Sequence, residues 1–247
     1  MSAAPARRVA MWSGPRNIST AMMRSWDNRG DCAVVDEPLY AYYLARTGLD
    51  HPLRERIVAE GDTDWRSVVA FLTGPVPGSR PLFYQKHMAH HLLPEVGRDW
   101  IAQLDNVLLI RDPDLVVASY LRARETVTAD AIGLPQQAQL FDWLLETTGK
   151  AAPVIDATDF LERPEAHLRA LCAHLGIAFT PRMLGWPQGP RASDGIWAPH
   201  WYQRVWHSTG FESPPLGRPQ LRGLAAEVAE ACQPMYRRLH ARRLVVD

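Results

Sequence analysis

The chain predicts an α/β fold: a three-layer arrangement in which a parallel sheet of about five strands is flanked by helices. Three observations carry this. Five short runs, Arg8–Trp12, Cys32–Asp36, Leu82–Lys86, Asn106–Ile110 and Pro153–Ala157, are apolar on both faces, as central strands covered by helices are. Helical patterns fill the intervals, as right-handed crossovers between parallel strands require. The first run then leads through Gly14-Pro15 into a helix that starts near Ser19. Ligands of such sheets gather at the carboxyl ends of the strands, and the residues singled out below leave strands at those ends.

The first strand and its loop read as an anion site. A helix starting at Ser19 offers unpaired N–H groups and the positive end of its dipole to whatever lies in the loop. Gly14 permits a tight turn and close approach, Pro15 stiffens it, Arg16 brings a donor fork, and Ser19 and Thr20 bring hydroxyls. The loop lacks the Gly-Lys-Ser/Thr ending of a nucleotide triphosphatase, since Ser19, Thr20 and Ala21 stand there instead.

The second strand ends in Asp36-Glu37-Pro38, and Pro38 places Glu37 at the strand end, outside helical conformation. A helical cap insertion is expected around residues 40–80. The third strand ends in Lys86-His87, followed by His90 and His91. No carboxylate or cysteine completes a metal set with these histidines, so no metal is expected. His87, at the strand end, is the histidine best placed for acid–base work. The fourth strand runs into Arg111-Asp112-Pro113-Asp114, where Asp112 reads as an N-cap and Pro113 as the first helical residue. Arg111 is left as a cation leaving an apolar strand, with Ser119 two helical turns on and tilted back toward it.

Asp159–Gly176 reads as one helix with a glycine stop. Residues 181–220 form a Trp/Pro-rich loop holding Trp186, Trp197, Trp201 and Trp206, expected either as a satellite core or as a lid over an aromatic ligand. Leu221–Leu239 reads as a final helix broken or kinked at Pro234, and Arg237, Arg238, Arg242 and Arg243 as a solvated face.

Composition narrows the function. Apolar residues make up 47% and charged residues 22%, with 27 basic against 27 acidic side chains. That balance leaves no electrostatic footprint for nucleic acid. Cys32, Cys172 and Cys232 are odd in number and widely spaced, which suits reduced thiols in the cytoplasm. The start of the chain lacks an apolar stretch of signal-peptide length, and no membrane span is expected.

Taken together, these segments resemble the PAPS-dependent sulfotransferase family, whose fold is of the P-loop nucleotide-binding type. Pro15-Arg16-Asn17-Ile18-Ser19-Thr20 is similar to that family's 5′-phosphosulfate loop, and Arg111-Asp112-Pro113 with Ser119 and Tyr120 to its 3′-phosphate motif. His87-Met88 before Leu92-Leu93-Pro94 resembles the segment carrying the catalytic histidine of cytosolic members. Glu37-Pro38 resembles carbohydrate and tyrosyl-protein members, in which a glutamate there is the presumed base. The resemblance covers roughly residues 7–177, with the whole of 1–247 expected as a single domain. Ile18 replaces the loop's usual glycine, Ala21 and Ala157 replace aromatic adenine contacts, and the family's late basic-glycine segment is missing.

The resemblance implies transfer of a sulfuryl group from PAPS to a hydroxyl or amine of a small-molecule acceptor, leaving 3′,5′-ADP, without metal. Donor contacts would come from Ser13, Gly14, Pro15, Arg16, Asn17, Ile18, Ser19 and Thr20, from Arg111 and Ser119, and from Arg204 in place of the missing segment. His87 would be the general base and Glu37 its rival or an acceptor-binding group, with Arg16 meeting the charge on the leaving group and Lys86 either a second such stabiliser or a surface cation. Two other classes stay open on the residues alone: a phosphotransferase using ATP and magnesium through a degenerate loop, and a non-catalytic nucleotide- or protein-binding descendant of the fold.

Overall fold

The computed structural model describes residues 6–214 and 217–246. Met1–Pro5, on which part of the leader reading falls, and Pro215 and Leu216 of the 181–220 loop lie outside the described residues. Five strands, β1 (Arg7–Ser13), β2 (Cys32–Asp36), β3 (Leu82–Met88), β4 (Asp105–Ile110) and β5 (Val154–Asp156), form one sheet in the order β2-β3-β1-β4-β5. Every pairing is parallel. The chain leaves β1 toward one edge and returns to its other side at β4, so the sheet reverses direction beside β1, where a crevice opens.

Alternation along β1 divides the core. Val9 and Met11 face Met22, Met23 and Trp26 of α1 (Ser19–Asp27). Ala10 and Trp12 face the opposite layer. On that side lie α2 (Tyr40–Thr47), with α3 (Arg54–Glu60) packed on it through Ile57, α4 (Trp65–Thr73), α5 (Pro113–Tyr120), which covers Leu108 and Ile110 of β4, and α6 (Leu134–Thr148). Val68, Leu72, Leu140 and Leu144 share one cluster with Trp12. Both periods, two in the strand and three to four in the helices, are those of two buried faces. Asp112 caps α5 by accepting from the Asp114 N–H at 2.9 Å.

The stretch expected as one helix from Asp159 to Gly176 is two, α7 (Ala157–Glu162) and α8 (Pro164–His174). Arg163 adopts φ −141°, ψ 64° between them, because the ring of Pro164 cannot continue α7 but suits the first turn of α8. Gly176, at φ +62°, ends α8 while the Ile177 N–H returns to the Cys172 carbonyl. Two short helices follow in the tryptophan-rich stretch, α9 (Ala198–Trp201) and α10 (Gln203–Trp206), then α11 (Leu224–His240), which runs through Pro234. Two of the arginines expected as a solvated face are ion-paired, Arg238 with Asp142 and Arg243 with Asp159.

The cap and the tryptophan-rich stretch meet. Tyr40, Tyr43, Leu44 and Ile57 share an apolar cluster with Trp197 and Tyr202. A buried ion pair, Arg24 to Asp194 at 2.7 Å, ties the same stretch to α1. The stretch packs as a satellite core against the cap, and Trp197, Trp201, Tyr202 and Arg204 from it line the crevice.

Candidate functional site

Above the carboxyl ends of β1, β3 and β4 lies a cleft of about 360 Å³, roofed by α9, α10 and the segment after them. At one end, Pro15–Ala21 line the wall. The N-terminus of α1 carries no side-chain cap, so the first N–H groups of the helix are free to meet an anion. Asn17 shapes the loop: its amide donates to the Leu109 carbonyl at 2.9 Å, and its carbonyl accepts from the Ile18 N–H at 2.8 Å.

Arg16 sits at φ +56°, a left-handed conformation that a non-glycine residue keeps only when its surroundings impose it. Arg111 Nη1 donates to the Arg16 carbonyl at 2.7 Å, and Arg16 Nε donates to Ser119 Oγ at 3.2 Å. These bonds fix both guanidinium groups in the cleft. Burial, and then repulsion from Arg122 and Arg204, lower the pKa of Arg16 and Arg111. Four arginines therefore converge on one end of the cleft, and of these only the exposed Arg204 has an ion-pair partner among the described residues, Glu212. Such a concentration of like charge is suited to a polyanion.

At the other end the register of β2 and β3 sets Asp36 beside Lys86. Lys86 Nζ donates to Asp36 Oδ1 at 2.8 Å, Glu37 Oε1 at 2.6 Å and Tyr202 Oη at 2.7 Å, which uses all three of its protons. Tyr202 donates to Asp36 Oδ2 at 2.7 Å and accepts from Trp197 Nε1 at 3.1 Å, while the Gly195 N–H donates to Asp36. Burial works against the Lys86 ammonium, but Asp36 and Glu37 raise its pKa well above the ordinary value. Glu37, at φ +41°, is aimed at the cleft with its side chain 12% exposed, and burial raises its pKa despite Lys86. Tyr40, His51 and His91 continue this wall, with the His91 ring stacked on Tyr40 at 4.7 Å between centroids.

The structure brings Pro15, Arg16, Asn17, Ile18, Ser19, Thr20, Arg111, Ser119, Arg204, Glu37 and Lys86 to the cleft. Three expected residues are elsewhere. Ser13 is fully buried, its hydroxyl without a partner among the described residues. Gly14 is not among the residues lining the cleft and faces the Ile132 carbonyl, which a Cβ would approach to 2.1 Å, so the neighbouring backbone requires glycine there. His87 lies beneath the cleft floor, stacked on Trp12 at 4.2 Å and hydrogen-bonded to Gln85 at 3.2 Å. Burial drops its pKa to about 3. Alternation along β3 explains this: Lys86 and His87 are consecutive, so they point to opposite faces, and Lys86 has the face that leads to the cleft. Lys86 itself is wholly buried, so its alternative as a surface cation is excluded.

Sequence reasoning did not find Asp36, Tyr202, Arg122 or Arg124 as site residues. The signal for Asp36 was two consecutive carboxylates leaving an apolar strand. That for Arg122 and Arg124 was a basic pair just past a helix aimed at an anion site.

The sulfotransferase domain family model matches residues 7–243. Two Arabidopsis thaliana proteins called branched-chain-amino-acid aminotransferase-like proteins 2 and 1 are 33% and 36% identical over 92% and 83% of this chain. The chain spans only 40% and 37% of their lengths. Among solved structures, a sulfotransferase from Alicyclobacillus acidocaldarius aligns over 99% of this chain and 98% of its own, with TM-score 0.56 and 14% identity. The sulfotransferase domain of the Synechococcus PCC 7002 olefin synthase aligns over 94% and 96%, with TM-score 0.54 and 16% identity. These two share the fold of this chain.

Proposed function

The chain belongs to the sulfotransferase domain family, and on that premise we propose that it moves a sulfuryl group from PAPS to a hydroxyl or amine of a small-molecule acceptor. One observation carries the proposal: a single cleft joins an uncapped helix start with four arginines to a buried Lys86–Glu37 pair. The first end suits the phosphates of a nucleotide donor. Arg16 and the amides at Ser19 and Thr20 would hold its 5′ side, and Arg111 with Ser119 its 3′-phosphate, with Arg122 and Arg204 adding to the field.

The second end suits deprotonation. In the transfer, the acceptor oxygen or nitrogen bonds to sulfur, the bond between sulfur and the 5′-phosphate oxygen breaks, and the acceptor proton leaves. Catalysis of this kind is mostly positioning and charge stabilisation, as in phosphoryl transfer. Glu37, facing the cleft with an elevated pKa, would take the proton. Lys86 holds Glu37 in place and supplies positive charge near the reacting group. His87, buried on the far side of β3, is assigned to the fold.

The test is turnover. Purified protein with PAPS and a panel of small alcohols, phenols and amines, in the presence of a chelator, should give a product heavier by SO3 and one equivalent of 3′,5′-ADP. Glu37→Gln should remove both signals. Phosphoryl gain that needs ATP and magnesium would overturn the proposal, as would no transfer to any member of the panel.

A further inference from the structure

Arg124 lies beyond the end of α5 on the rim of the cleft, and nothing in the sulfuryl-transfer scheme uses it. Its Nη1 donates to the Asp50 carbonyl at 3.1 Å, and its guanidinium rests 5.5 Å from the centre of the Trp201 ring. Its Nη2 is buried and has no hydrogen-bond partner among the described residues. No carboxylate pairs with it among those residues either. A guanidinium fixed at one nitrogen, braced on an aromatic face and unsatisfied at the other is costly unless an acceptor arrives.

Its neighbours place it at the acceptor end. Arg122 and Arg204 act on the two arginines beside the α1 N-terminus, Arg16 and Arg111. Arg124 instead acts on Tyr40, Tyr43, His51 and Tyr120, and Tyr40 also feels Glu37. Contacts join the candidate base to Arg124: the Tyr40 N–H donates to the Glu37 carbonyl at 2.9 Å, and Tyr40 Oη is hydrogen-bonded at 2.8 Å to His51 Nδ1, next to the Asp50 carbonyl that Arg124 holds. Asp50, Asp130 and Glu37 act on this wall, through His51, Tyr43 and Tyr40, but none of them forms an ion pair with Arg124 among the described residues. Burial lowers the pKa of His51 to about 4 and that of His91 well below its ordinary value, leaving both neutral near pH 7. An aromatic wall with one unpaired cation selects a ligand with an apolar body and one anionic group.

Building on the sulfuryl-transfer reading, we propose that the acceptor is a small hydroxyl- or amino-bearing molecule with a carboxylate, which Arg124 grips. A planar carboxylate matches the guanidinium fork. Arg124 is then a specificity-determining residue, and discrimination comes from leaving it unpaired when the carboxylate is missing.

The test is a binding comparison by calorimetry, made with and without 3′,5′-ADP. Small hydroxy-carboxylates, including 4-hydroxyphenylacetate, are each measured beside the matching amide. The wild-type protein should bind at least one carboxylate about tenfold or more tightly than its amide. Arg124→Gln should bring that ratio close to one, Arg124→Lys should retain part of it, and 3′,5′-ADP should bind all three proteins alike. Equal affinity for every acid and its amide would overturn the proposal, as would a preference that survives Arg124→Gln or no binding of any acid. Failure of 3′,5′-ADP to bind would instead count against the donor site, and the acid–amide ratio measured without nucleotide would still decide on Arg124.

Discussion

The two ends of the cleft are built differently. The α1 end is made largely of contiguous chain: a loop, an uncapped helix start and an arginine leaving the adjacent strand, with Arg16 locked by Arg111 and Ser119. The Glu37 end is made of side chains brought together from afar, with Lys86 bonded to Asp36 across 50 positions and to Tyr202 across 116. The first leaves Arg16, Arg111 and Arg122 without ion-pair partners among the described residues, as an anion site would. The second neutralises itself internally and holds the tryptophan-rich stretch in place through Tyr202. Binding capacity is concentrated in backbone and arginines, and positioning capacity in a buried ion-pair network.

Breaking the network should give the largest effect. Lys86→Met leaves Asp36 and Glu37 buried without their cation and should cost about 3–5 kcal/mol of unfolding free energy, read by urea denaturation. A loss below about 1 kcal/mol would mean that the Asp36–Tyr202 bond alone secures the tryptophan-rich stretch. Glu37→Gln removes the candidate base while keeping its shape. It should lower kcat/KM by roughly 100- to 1,000-fold and leave 3′,5′-ADP affinity within about twofold. The acid limb of the wild-type pH profile, set by the elevated Glu37 pKa, should disappear in the same variant.

The smallest effect separates His87 from both ends. Its folded pKa is about 3 because burial disfavours the charged ring, against roughly 6.5 for an unfolded imidazole. Between those values the unfolded chain binds a proton that the folded one does not. Stability is therefore full above about pH 6.5 and falls as pH drops toward 3, by about 1.4 kcal/mol per unit for each such histidine. His87→Phe, which preserves stacking on Trp12, should fold with a shallower loss of stability between pH 7 and 5. It should also keep turnover within several-fold. A hundredfold loss of turnover in a folded His87→Phe protein would return the base role to His87.

How much of this was legible follows the same division. All five strands, the start of α1 and the Asp112 cap are written in local pattern, and so are Arg16, Arg111 and Ser119, which lie within a few residues of strand ends. The break at Pro164 was equally local but was outweighed by the apolar spacing on either side of it. His87 was misplaced because a strand-end position was weighed without the period of two, which puts Lys86 and His87 on opposite faces. Gly14 was assigned to an anion, although the close approach it permits is that of the Ile132 backbone. Tyr202 could not be found from pattern. Its hydroxyl matters only because the tryptophan-rich stretch folds back onto Asp36, a contact across 166 positions that no periodicity reports.

The central claim is that the α1 end binds a 3′-phosphorylated adenine nucleotide without metal. Titration calorimetry of the purified protein with 3′,5′-ADP in a chelating buffer tests it most directly, with ATP plus magnesium in parallel. The account predicts tight binding of 3′,5′-ADP that weakens about 10- to 100-fold in Arg111→Ala, the scale of a lost charge-assisted hydrogen bond. Binding of ATP with magnesium in preference to 3′,5′-ADP, or equal binding of 3′,5′-ADP by the Arg111→Ala protein, would contradict it.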